Sequence, residues 1–281
     1  MSEQLKTTRP KLAAPWIYFV ATYVWSCIFG GIAILMDVSM ETAAGLGLVL
    51  LAVTGPMVTG IAFTYLTRDK AGRRDYWKRV IDFKRIPARW YLVIFLFVPA
   101  LNSLAALLDV MTGGSGATWG EAALNFISDP SSIILSILFA SLIPFIEELG
   151  WRGYVLDRLQ ENRSALASSL ILGVVWSVWH LPTFFIRGSY QAGLGIGTLA
   201  FWLFFLGIFP LTFAFTWIYN NTGRSTLAVI LFHSMVNFTG ELIALTERAD
   251  TLSILLWFVT AIGIAVSWGA KSLTREKVVQ A

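Results

Sequence analysis

Residues 134–154 have the sequence ILSILFASLIPFIEELGWRGY, an apolar run that could lie in lipid but ends in two glutamates and an arginine. A charged side chain at membrane depth costs at least about 2.5–3.5 kcal/mol on insertion scales, so it usually has a partner or a function. We therefore expect a partner or a function for each of the three charged residues, Glu147, Glu148 and Arg152.

The composition favours a membrane protein. Hydrophobic residues make up 56% of the 281 residues and charged residues only 14%, whereas a soluble domain carries about 25% charged residues. Apolar runs of about 20 residues, the length that spans a bilayer, occur eight times. They lie at about 14–36, 44–66, 90–110, 131–155, 166–186, 196–219, 226–246 and 252–270. The sequence predicts an all-α polytopic membrane protein with about eight transmembrane helices, forming a single transmembrane domain over residues 1–281.

The basic residues indicate how the helices are oriented. If eight helices alternate in direction, every Lys and Arg except Arg187 and Arg248 falls on the same side of the membrane. The positive-inside rule then predicts that the N and C termini are both cytoplasmic. Because the net charge of +4 is distributed in this way, it indicates membrane topology and gives no reason to expect binding to nucleic acid.

The longest hydrophilic connection, residues 68–90, is rich in Lys and Arg. Tyr76, Trp77, Val80 and Ile81 recur in it at helical spacing, a pattern typical of an amphipathic helix on a membrane surface. We expect this segment to contact the anionic lipids of the inner leaflet.

Both histidines of the chain, His180 and His233, lie inside apolar segments, where ionisable residues are commonly functional. His233 and Asn237 are four residues apart and so share one helix face. Glu148 and Arg152 have the same spacing, in the order that favours an ion pair within the helix. Glu147 points roughly 100° away from them and has no such local partner.

A carboxylate, two imidazoles and a carboxamide around a buried cavity suit peptide hydrolysis. Glu147 and His180 could activate a water molecule, while His233 and Asn237 could donate hydrogen bonds to the oxyanion. A zinc site with Glu147, His180 and His233 as ligands is the alternative. The HExxH motif is absent and Asn237 would be a poor ligand, so water activation without an obligatory metal is favoured.

Two other classes of function compete with a hydrolase. In a proton-coupled membrane transporter, Glu147 and the histidines would relay protons. The other class is a catalytically idle membrane scaffold. The sequence leaves the oligomeric state open.

Three fragments together resemble the motifs of the CAAX prenyl protease family, the CPBP or Abi group that includes the Ras-converting enzymes. EELGWRG, beginning at Glu147, resembles the EExxxR motif. Trp176–His180 resembles FxxxH, with Trp where Phe is common, and His233–Asn237 matches HxxxN. The resemblance covers roughly residues 125–245, the expected protease core.

The resemblance implies an intramembrane endopeptidase of a family whose members are often regarded as metalloproteases. It assigns Glu147 and His180 to water activation and His233 and Asn237 to the oxyanion, with Glu148, Arg152 and Trp176 in support. The expected substrate is a peptide or a lipidated protein. The expected location is a prokaryotic plasma membrane.

Overall fold

The computed structural model describes residues 13–275, and nearly all of them are helical. In chain order the α-helices are α1 (Pro15–Leu35), α2 (Ala43–Val53), α3 (Gly55–Thr67), α4 (Lys70–Ile81), α5 (Ala88–Met111), α6 (Glu121–Ser128), α7 (Ser132–Gly150), α8 (Leu156–Gln160), α9 (Ala165–Trp179), α10 (Tyr190–Leu194), α11 (Leu199–Asn221), α12 (Thr226–Leu242) and α13 (Glu247–Trp268). Two 3-10 turns lie at Phe83–Arg85 and Leu181–Phe185, and a π-helical turn lies at Trp151–Val155. The strands are β1 (Ala117–Trp119) and β2 (Ile243–Leu245).

The prediction of an all-α polytopic membrane protein is confirmed. Seven helical segments are long and apolar enough to cross a membrane: Pro15–Leu35, Ala43–Thr67, Ala88–Met111, Ser132–Gln160, Ala165–Phe185, Leu199–Asn221 and Glu247–Trp268. The remaining predicted span, 226–246, corresponds to α12, which is apolar but has only 17 residues. This helix is shorter than the predicted range because the chain turns into β2, which pairs antiparallel with β1.

Several helices begin at a polar residue that precedes an apolar run. The side-chain oxygens of Ser164, Thr198, Ser225 and Thr246 each accept a hydrogen bond from the backbone N–H three residues later. Such caps satisfy backbone donors that the first helical turn leaves unpaired, and each contributes about 1 kcal/mol. These local signals explain why α9 and α12 begin within about one residue of the predicted positions 166 and 226, whereas α11 begins three residues later and α13 five residues earlier than the predicted apolar runs at 196 and 252.

The predicted cytoplasmic connections meet at one end of the bundle. Arg68, Arg79 and Arg224, from two different connections, all pair with the carboxylate of Asp157. The two basic residues assigned to the opposite side have other partners, since Arg187 pairs with Asp37 and Arg248 with Asp109. These ion pairs place the basic residues at the two ends of the bundle as expected if an even number of helices cross the membrane in alternating directions. The cytoplasmic location of the termini stays a prediction.

The amphipathic segment packs against protein more than its sequence indicates. Tyr76 and Val80 of α4 are buried in a cluster with Leu149 and Ile230, while Ile81 is 70% exposed. The Tyr76 hydroxyl donates to the carbonyl of Leu149 at 2.9 Å. Part of the apolar face that the sequence assigns to lipid therefore holds α4 onto α7 and α12.

The buried carboxylate of Asp157 is the main polar anchor of α4. It accepts hydrogen bonds from Arg79 at 2.8 Å, from the Tyr219 hydroxyl at 2.9 Å and from Arg224. Arg79 and Asp157 are 2% and 7% exposed, so water screens their pairing little. Arg79 also donates to the carbonyl of Gly153, in the π-helical turn, at 3.1 Å.

We expect Asp157→Asn to lower the free energy of unfolding by about 3 kcal/mol, because it leaves buried arginine charge without its counter-ion. The measurement is unfolding of the purified protein in mixed micelles. Asp37→Asn is the matched control, since its pair with Arg187 is 76% and 64% exposed and should contribute less than about 1 kcal/mol. Equal losses in the two variants would contradict the anchoring role of Asp157.

Gly150 allows α7 to cross α1 and α3 closely just before the π-helical turn. A Cβ atom placed there would lie 2.2 Å from both the Pro56 carbonyl oxygen and the Tyr18 hydroxyl. Any larger residue would force the helices apart. The π-helical turn that follows, Trp151–Val155, is the kind of irregularity that often lies at functional sites.

Candidate active site

The predicted site residues lie where α7, the π-helical turn, α9 and α12 meet. Glu147 and Glu148 are in the last turn of α7, Trp176 is in the last turn of α9, and His180 follows its end. Five of the seven are buried, with exposed fractions of 3% for Glu147, 0% for Glu148 and Arg152, 3% for Trp176 and 5% for His233. His180 and Asn237 are half-buried. These seven site residues thus combine charged groups with very little access for water.

Glu148 has two cationic or protonatable partners. Its carboxylate accepts hydrogen bonds from Arg152 at 2.8 and 3.0 Å, which is the ion pair expected from their spacing. The same Oε1 atom lies 3.0 Å from Nδ1 of His233 on α12. Glu148 therefore links the charge of Arg152 to a histidine 85 positions later, a contact that no local spacing indicates.

Arg152 is held by aromatic faces as well as by Glu148. Its guanidinium carbon lies 5.2 Å from the ring centre of Trp176 and 4.6 Å from that of Phe215 on α11. Such contacts stabilise a desolvated cation by about 2 kcal/mol. Within residues 13–275, Nε and Nη2 of Arg152 have no hydrogen-bond partner, so Glu148 accepts all of the hydrogen bonds that the guanidinium makes there.

Glu147 points away from Glu148, as the helical geometry predicts, and makes no ion pair with any described residue. Glu147 does have one uncharged partner. The indole Nε1–H of Trp176 donates to its Oε2 atom at 2.6 Å. A neutral donor thus holds one carboxylate oxygen, and the other oxygen is left for a further interaction.

His180 follows the end of α9, and its ring is fixed by the backbone. Nδ1 lies 2.7 Å from the carbonyl oxygen of Trp176. Because a carbonyl oxygen only accepts, Nδ1 must carry the proton, and in the neutral imidazole Nε2 then has a free lone pair. Pro182 lies in the first turn of the 3-10 segment that follows, because its ring cannot donate to continue the α-helix.

His233 and Asn237 lie one turn apart on α12, as predicted. The His233 ring packs against Trp176 with a centroid distance of 5.4 Å and against Phe215 at 5.1 Å. The side chain of Asn237 makes no hydrogen bond to any residue in the described range and is half-buried. Its amide is therefore available to a ligand.

The three residues of the alternative zinc site are not arranged as ligands. No group of three His, Cys, Asp or Glu side chains in residues 13–275 is close enough to hold a metal ion together. Of the three, Glu147 has one oxygen occupied by Trp176, and His233 has Nδ1 occupied by Glu148. These contacts leave Oε1 of Glu147 and Nε2 of both histidines free, so the donor atoms themselves suit a metal, while their spacing within residues 13–275 does not form a three-ligand site.

Two features of the site do not follow from the sequence motifs. One is the donor function of Trp176, and the other is Phe215, whose ring contacts both Arg152 and His233. The donor function could be anticipated from the sequence, because position 176 has Trp where the FxxxH motif has Phe, and a buried indole N–H usually has a hydrogen-bond acceptor. Phe215 has no such signal, since it is one of many aromatic residues in α11.

The chain is similar to one family model and to two known proteins. Residues 129–239 match the family model described as "Type II CAAX prenyl endopeptidase Rce1-like". The chain is 28% identical over 254 residues to "CAAX prenyl protease 2" of Methanococcus maripaludis, covering 89% of this chain and 92% of that protein. It is also 22% identical over 216 residues to "Lysostaphin resistance protein A" of Staphylococcus haemolyticus, covering 74% of this chain and about half, 53%, of that protein.

Proposed function

We propose that this chain, an integral membrane protein in which residues 129–239 match an Rce1-like CAAX prenyl endopeptidase domain, hydrolyses peptide bonds with the buried residues of α7, α9 and α12. The observation that carries the proposal is the shared environment of Glu147, His180 and His233, since Trp176 contacts all three. Residues from three helices thus meet at one buried tryptophan.

In this proposal Glu147 and His180 activate water. The free oxygen of Glu147 and Nε2 of His180 are the two unoccupied bases of the site. One of them takes a proton from water while the water oxygen bonds to the scissile carbonyl carbon. When the tetrahedral intermediate collapses, the C–N bond breaks and the proton passes to the leaving amine. General acid–base assistance of this kind contributes about 10²- to 10⁴-fold to a rate.

His233 and Asn237 stabilise the oxyanion. The Glu148 carboxylate accepts from Nδ1–H of His233, so Nε2 can donate to an oxyanion only if the ring is the doubly protonated imidazolium. The Asn237 amide adds a second donor one turn away.

The proposed substrate is a peptide or a lipidated protein, in particular one with a prenylated Cys near its C terminus. The name of the archaeal relative, CAAX prenyl protease 2, supports that choice. The exposed Lys70, Arg74 and Lys78 of α4 support contact with an anionic inner leaflet. A prokaryotic plasma membrane is the proposed location.

The test is cleavage of quenched fluorescent peptides by the purified protein in detergent, with a prenylated CAAX-type peptide beside the same peptide lacking the prenyl group. We expect the wild type to cleave the prenylated peptide and His180→Gln to lose at least about 100-fold in kcat. Glu161→Gln is the control substitution, because the Glu161 carboxylate is 48% exposed and pairs with Arg158 just after α8. A chelator is added in a parallel set, and we expect cleavage to persist.

The outcomes separate the competing functions. A folded wild type that cleaves none of these peptides would contradict the proposal and favour a scaffold or transporter. Cleavage that is equal in wild type and His180→Gln would contradict the assignment of the base. Complete loss of cleavage with the chelator, restored by added zinc, would favour the metal mechanism over the one proposed.

A further inference from the structure

Trp176 is bonded to both of the residues that are proposed to activate water. Its side-chain Nε1–H donates to Oε2 of Glu147 at 2.6 Å, and its backbone carbonyl accepts from Nδ1 of His180 at 2.7 Å. The residue is 3% exposed, so neither bond competes with much solvent. No other residue in the described part of the chain bonds to both side chains.

The indole bond selects one orientation of the Glu147 carboxylate. A hydrogen bond to an ionised acceptor is stronger than a neutral one, and 2.6 Å is short for an N–H donor. It holds Oε2 towards α9. The other oxygen is thereby fixed in direction, as a group that must meet a water molecule at a defined angle requires.

The carbonyl bond selects the tautomer of His180. The backbone N–H of His180 donates to the carbonyl of Ser177 at 3.1 Å, one position short of the α-helical partner. The carbonyl of Trp176 is therefore left for the imidazole ring. This tighter last turn of α9 presents the basic Nε2 atom and keeps Nδ1 protonated.

We propose that Trp176 is a positioning residue that orients Glu147 through its indole N–H and His180 through its carbonyl, so that both bases address the same water molecule. The inference rests on the proposed function. Phenylalanine would keep the ring contacts with His180, His233 and Arg152. It would remove the only hydrogen bond that the Glu147 carboxylate makes within the described residues.

The test compares Trp176→Phe with Trp179→Phe. Trp179 is on the same helix and its ring also contacts His180, at 5.0 Å, but its Nε1–H donates at 2.9 Å to Ser26 on α1. Each variant loses one indole hydrogen bond, but only the bond lost in Trp176→Phe is made to Glu147. We expect kcat to fall about tenfold or more in Trp176→Phe with KM unchanged, and both constants to stay near wild type in Trp179→Phe.

Replacement of Trp176 by β-(3-benzothienyl)alanine, in which sulfur replaces the N–H group, gives a second test that keeps the shape of the ring. If Trp176→Phe does not fold, the analogue tests the positioning role of Trp176 by itself. The same loss of kcat in the analogue would support the proposal, and wild-type kcat in the analogue would overturn it. Equal effects of the two Phe variants would also overturn it. A wild type without activity would instead contradict the proposed function itself.

Discussion

Glu147→Gln is expected to reduce kcat by about 10²- to 10⁴-fold while the protein stays folded. The amide oxygen of glutamine can still accept the hydrogen bond from Trp176, so the packing of α7 against α9 is preserved. The variant lacks a base strong enough to take a proton from water. The measurement is kcat on the peptide that the wild type cleaves best, with thermal unfolding recorded on the same samples.

A double variant tests whether Glu147 and His180 act together. If both residues act on one water molecule, the double variant Glu147→Gln, His180→Gln should be little slower than the slower single variant. Fully additive losses would show that the two residues act in separate steps. Glu161→Gln is the control, because its carboxylate is 48% exposed at the end of α8 and pairs only with Arg158 among the described residues.

The second large effect is on stability. Glu148→Gln is expected to lower the free energy of unfolding by about 3–5 kcal/mol, because it leaves Arg152 buried without a counter-charge. Both residues are 0% exposed, so water cannot replace the lost partner. The measurement is unfolding in mixed micelles, as for Asp157→Asn.

The same substitution should also reduce activity, because it replaces the carboxylate that lies 3.0 Å from Nδ1 of His233 with a neutral amide. A combined Glu148→Gln, Arg152→Met variant distinguishes the two effects. It removes the uncompensated charge and should recover most of the stability. Activity should stay low, because His233 still lacks its carboxylate. Wild-type stability in Glu148→Gln alone would contradict the role given to the pair.

Much of the fold follows from local sequence. Seven of the eight predicted spans correspond to helical segments long enough to cross a membrane and the remaining one to the shorter α12, because the length of an apolar run and the polar cap before it are properties of neighbouring residues. The ion pair of Glu148 with Arg152 and the shared face of His233 and Asn237 are of the same kind. A spacing of four residues places side chains together in any α-helix.

Other features depend on how helices meet. The sequence does not indicate the docking of α4 through Tyr76 and Arg79, because the same residues could equally face lipid headgroups. It does not indicate the π-helical turn either. The carbonyls of Leu149, just before that turn, and of Gly153, within it, are satisfied by residues of α4 that lie 73 and 74 positions earlier in the chain.

Local sequence thus determines which segments cross the membrane, where their helices approximately end and which residue types are available for chemistry. The contacts of Trp176 with Glu147 and of Glu148 with His233 arise only in the folded bundle. The physical reason is the separation of the interacting residues along the chain. Helix formation is governed by neighbours within about four residues, whereas these contacts need backbones to approach closely, as Gly150 allows, and that approach depends on the packing of the whole bundle.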